Sequence, residues 1–161
     1  MSLEEYRHPV AGFTLPLPSG WECIEDPQYG VPVIAVEPVD TVGFRANVVV
    51  TSEALPPGCD LGVWQANVDE LLPQELPHYS LIDREFIDGG DRRFFRRLAH
   101  YVGDDTGSVT MEQWAVIASG TGFTLTASVA TFAYDSLADM FADMALRFRP
   151  DGVDGIGEVT A

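Results

Sequence analysis

Lysine is missing from this sequence of 161 residues. Its 9 basic residues are all arginine, set against 25 acidic ones, for a formal net charge of −16 at pH 7. A field this negative repels phosphate backbones and anionic headgroups, so non-specific nucleic-acid binding is excluded first. Cysteine is scarce: Cys23 and Cys59 are too few for a disulfide framework, and with only three histidines their spacing matches no zinc motif. They read as two buried free thiols. No run approaches the ~18 apolar residues that span a bilayer. The N-terminus lacks a charged n-region, an apolar h-region and a cleavage site, so a cytoplasmic location is the expectation. An envelope location follows only if a leader has been removed. Catalytic signatures are missing as well: there is no Gly-x-Ser-x-Gly, no His-Glu-x-x-His and no phosphate loop.

What is present is an ordinary globular composition, 46% hydrophobic and 21% charged, in a length suited to one domain. Arginine in place of lysine, with abundant Ala, Gly, Asp and Val, points to a GC-rich genome such as an actinobacterium's. The clearest pattern runs from Arg92 to Phe148. Arg92–Val102, Val109–Ser119 and Phe123–Thr131 are rich in aromatic and β-branched residues, and 103–107 and Gly120-Thr121-Gly122 have hairpin-turn composition. They predict an antiparallel meander. Tyr134-Asp135-Ser136 then leads into a helix, with Ser136 as N-cap and Asp139 at the capping-box position. Leu137, Phe141, Met144 and Phe148 form its apolar stripe, and Pro150 ends it.

Ahead of the meander, residues 1–12 read as an exposed lead-in. Phe13, Leu15 and Leu17 alternate as in a strand with one face on a core, while Pro16 and Pro18 assign that strand to an edge. Trp21 reads as a core anchor after a Pro18-Ser19-Gly20 turn. Val31–Glu37, Phe44–Glu53 and Tyr79–Ile87 read as further strands, with turns at Asp40–Gly43 and at 88–91. Asp60 is a fitting N-cap for a helix with Leu61, Trp64, Val68 and Leu71 on one face, which Pro73 stops or kinks. The tail from Asp151, rich in Gly and Asp, reads as a frayed end rather than a calcium loop.

The stretch from Phe13 through Trp21 to Glu22 resembles the start of the PsbP-like superfamily. The resemblance continues through the Gly89-Gly90 turn, the arginine-rich strand, the strand carrying Gln113, the Gly120-Thr121-Gly122 hairpin and the Tyr134-Asp135 opening of the last helix. It covers residues 10–149 and implies an antiparallel sheet with helices on its faces. It implies no shared activity, since superfamily members bind protein partners or ions, assist photosystem assembly or chaperone effectors. No catalytic motif carries over. The combined expectation is one α+β domain over residues 1–161, with an ordered core from 10 to 149 and a flexible tail from 151. It is an α/β/α sandwich with a mainly antiparallel sheet of six or seven strands.

Arg92, Arg93, Arg96 and Arg97 are the one basic cluster in this acidic chain. Doublets of arginine and phenylalanine place both types on both sheet faces. One reading has the cluster neutralised by the protein's own acids, its stems covering apolar surface. The other has it grip a carboxylate or phosphate of a partner. His100 reads as structural, and a Cys-His nucleophile pair is the least favoured reading. The sequence thus points to a binding module without catalysis and without a cofactor. The expected partner is a protein or amphipathic cargo met through Arg92, Arg93, Arg96 and Arg97, by a monomer or homodimer. A protein that binds a small ligand or a divalent metal is the alternative.

Overall fold

A computed structural model describes residues 2–26, 31–38, 43–90 and 92–151. The meander forms as its pattern requires. Strands β7 (Arg93–Gly103), β8 (Gly107–Ala118) and β9 (Thr121–Ala130) pair antiparallel in sequence order. β6 (Ser80–Asp88) closes one side; β5 (Asn47–Ala54), β4 (Val31–Val36) and β3 (Glu22–Asp26) extend the other. The result is a seven-stranded antiparallel sheet of order β3-β4-β5-β9-β8-β7-β6. β3 occupies a stretch to which the sequence pattern assigns no element.

The residues expected to form an exposed lead-in are instead a strand, β1 (Leu3–His8). It pairs with β2 (Phe13–Pro18), and with the two-residue β10 (Arg149–Pro150) makes a second, three-stranded sheet. β2 is therefore the middle strand of the small sheet and not the edge that its prolines suggest, and the prolines are accommodated by which way they face. Ser19 N–H donates to Ser2 O, and stepping back by two directs Leu17, Leu15 and Phe13 toward β1. Pro16 and Pro18 therefore face the opposite side, where β10 reaches only Phe13 and Thr14, so their missing N–H groups break no ladder.

Helix α2 (Tyr134–Arg147) and the small sheet cover one face of the large sheet. Phe13, Phe123 and Phe148 meet there with ring centroids 5.5–6.3 Å apart. Phe141 and Met144 complete the predicted stripe, and each fully buried side chain of this size contributes ~1.5–3 kcal/mol. The helix starts earlier than expected: Ala133 is the N-cap and Ser136 Oγ donates to Ala133 O, so Ser136 caps nothing. Pro150 lies beyond the helix, in β10, and does not end it.

Helix α1 (Leu61–Glu75) lies on the other face. Asp60 is its N-cap, accepting from Val63 N–H at 2.8 Å. Its inward residues are Leu61, Trp64, Gln65 and Leu72; Leu71, assigned to that stripe by spacing, is exposed. The helix continues two residues past Pro73, because Leu76 N–H still closes onto Leu72 O and the proline deprives only the Asp69 carbonyl of a partner. The β8–β9 hairpin also turns one position earlier than expected. Ser119 and Gly120 both have positive φ, as a tight two-residue turn needs, and Gly122 is a strand residue. The turns expected at 40–43 and at Asp91, and the tail after Asp151, lie outside the described residues.

Candidate functional site

The arginine doublets of β7 divide between the two faces because successive side chains of a strand alternate. On the α1 face, Arg97 is 1% exposed. Its Nε donates to Asp69 Oδ1 at 2.8 Å, and Nη1 donates to Gln65 and Gln113 side-chain oxygens at 3.0 Å. Nη2 donates to the Gln65 carbonyl at 3.1 Å. Asp69 also pairs with Arg84 at 2.8 Å. The guanidinium of Arg97 stands 4.8 Å from the Phe95 ring centre and that of Arg84 5.2 Å. This network fastens α1 to the sheet through charge rather than through an unbroken apolar seam.

On the opposite face, Arg96 Nε donates to the buried Glu112 at 2.6 Å, and Nη1 reaches Asp83 and Glu85 at 3.2 Å. Tyr134 OH donates to the same Glu112 oxygen at 3.1 Å. Burial pushes the Glu112 carboxyl above its ordinary range, against the opposing pull of Arg96 and Tyr134. Arg92 donates to the carbonyls of Phe148 and Leu146 at the C-terminal end of α2, where a cation complements the helix dipole. Arg93 differs from the other three. It is exposed, stacked 4.2 Å from the Phe86 ring centre, and makes no ion pair with a carboxylate among the described residues. Phe86 abuts the first turn of α1, its ring tip near Gly62.

The remaining candidates come apart. Cys23 is exposed on β3 and Cys59 partly buried in the loop before α1; both are free, and neither is the buried thiol expected. Both are short of full burial because β3 is an outer strand and the loop is at the surface. His100 meets Ser108 Oγ at 2.7 Å, and His8 Nδ1 accepts from the N–H groups of Val10 and Ala11. Among the described residues no group of three His, Cys, Asp or Glu side chains is arranged to hold a metal ion, and no helix is long and apolar enough to cross a membrane.

Sequence spacing did not reveal a groove of about 450 Å³ between α1 and the loop 55–60. Leu55, Pro56 and Pro57 form one wall; Val63, Trp64 and Leu71 form the other. The only available signal was an apolar surplus on α1, two residues more than one buried face uses.

The architecture is that of the PsbP-like fold. The cyanobacterial PsbP of Synechocystis sp. PCC 6803 superposes with a TM-score of 0.75 at 18% identity over 92% of each chain. The Ran-binding protein Mog1p of Saccharomyces cerevisiae gives 0.64 at 15% identity, covering 96% of this chain and 97% of its own. LpqN of Mycobacterium tuberculosis, involved in cell envelope biogenesis, gives 0.59 at 18% identity over 92% and 91%. No family model and no curated protein matches the chain. At these identities the likeness is one of fold.

Proposed function

We propose that the chain is a binding or accessory module without catalytic activity, docking a protein partner or amphipathic cargo through the face that carries α1. The carrying observation is Arg93. Of the four clustered arginines it alone is an exposed side chain, held on Phe86 beside the first turn of α1, while Arg92, Arg96 and Arg97 reach into the fold. Arginine stacked on an aromatic ring at a surface is the side-chain type that anchors interfaces. The shared fold with a Ran-binding protein supports the same reading. In it, Arg93 makes the contact and the other three arginines hold the surface that presents it.

The test is capture in the protein's own host. Gentle purification followed by native mass spectrometry and crosslinking is expected to retain a discrete partner on wild type and markedly less on Arg93→Ala. The melting temperatures of the two should be nearly equal. Equal capture by the two proteins removes Arg93 from the site. No bound species on wild type, even after crosslinking, overturns the reading.

A further inference from the structure

The geometry points to the groove between α1 and loop 55–60 as the receiving site for a polypeptide segment that presents an apolar side chain next to a lysine or arginine. The inference rests on the binding-module reading and specifies its partner's chemistry. Helix α1 already buries Leu61, Trp64 and Leu72 against the sheet. Val63 and Leu71, 55% and 51% exposed, form a second apolar strip eight residues apart, pointing into the groove. The walls are set in place before anything binds. Pro56 and Pro57 restrict the loop, Cys59 N–H closes a turn onto Pro56 O, and Leu55 N–H donates to Gly120 O. Trp64 is fixed from below by Gly122 and from the side by its indole N–H bond to Glu53.

Charge selects the occupant. Glu53 is the one charged side chain lining the groove, and no basic residue lines it. Arg7, Arg45, Arg84, Arg96, Arg97 and Arg147 are each paired with a carboxylate of the chain itself. The surrounding field is therefore that of a protein of net charge −16, which disfavours a second copy, an acidic segment or an anionic membrane. A segment with an apolar residue for Val63 and Leu71 and a cation for Glu53 meets both demands.

Two synthetic peptides probe it: an amphipathic leucine–lysine peptide and its leucine–glutamate counterpart. Only the lysine peptide should bind. Val63→Glu and Leu71→Glu change exposed helix positions and should leave the melting temperature in place. Each adds negative charge, so simple adsorption of a cationic peptide would tighten. Seating in the groove predicts at least a tenfold loss instead. A second readout needs no helix variant. In Cys23→Ser protein, the lysine peptide should slow alkylation of Cys59, which lines the groove. Unchanged or tighter binding to the glutamate variants, or unaltered Cys59 alkylation, overturns the inference. A native partner captured equally by wild type and Leu71→Glu overturns it too, while leaving the binding-module reading intact.

Discussion

The indole of Trp64 rests on strand β9 at Gly122 so closely that a methyl group at that glycine would stand 2.6 Å from Cη2 and 2.7 Å from Cζ2. No side chain fits between helix and sheet at that point. Gly122→Ala must therefore push Trp64 outward and strain its bond to Glu53, at a cost of about 1–3 kcal/mol typical of overpacking. Urea denaturation should show that loss together with a shift in indole emission. An alanine variant as stable as wild type would mean that Trp64 is free to relocate.

Arg97 and Arg93 sit four residues apart on one face of β7 and should respond oppositely. Truncating Arg97 leaves Asp69, Gln65 and Gln113 without their shared donor beneath α1, and breaking a buried pair costs ~3–5 kcal/mol. Arg93→Ala removes an exposed side chain and should stay within ~0.5 kcal/mol of wild type. Chemical denaturation of both variants checks the contrast. Similar losses for the two would contradict the buried role of Arg97.

The two helix starts offer a paired test. Asp60→Ala removes an oxygen that accepts from Val63 N–H, and should cost about 1 kcal/mol. Ser136→Ala removes a hydroxyl that only donates back to Ala133 O inside the first turn, and should cost less than ~0.5 kcal/mol. Thermal melts of the two variants rank them. A larger loss at Ser136 would restore it as the cap.

These contrasts show which parts of the molecule were legible in its sequence. Aromatic and β-branched composition between hairpin turns disclosed β7, β8 and β9, and period-3.6 spacing disclosed both helices, because each helix buries one side. Asp60 was legible because its cap bond is local. The strand β1 was not. Leu3-Glu4-Glu5-Tyr6-Arg7 is polar on its open side and is a strand only because β2 offers it a ladder. The fate of the arginines was equally hidden. Two doublets in sequence say nothing of Asp69, which lies 28 residues before Arg97, or of Glu112, 16 residues after Arg96. Long-range partners decide which arginine of the cluster is structural, and of these four only Arg93 is left facing outward without a carboxylate among the described residues. The groove was hidden for the same reason: its two walls are joined in sequence, but its depth depends on Gly122, far along the chain.

The carboxyl of Glu112 is shifted up by burial, beyond what its bonds from Arg96 and Tyr134 restore. A carboxyl with a raised native pKa favours folding when protonated. Its contribution is complete below the ordinary value of 4.5 and is lost as pH rises through the raised one. Glu112→Gln mimics the protonated form at every pH. The variant should therefore gain on wild type as pH rises from 4.5 through the raised pKa, whatever the fixed offset between them. Urea titrations of both proteins at several pH values across that window measure the difference. A gap that stays constant would show Glu112 titrating as an ordinary carboxylate. A gap moving in favour of wild type as pH rises would show that the pull of Arg96 outweighs burial.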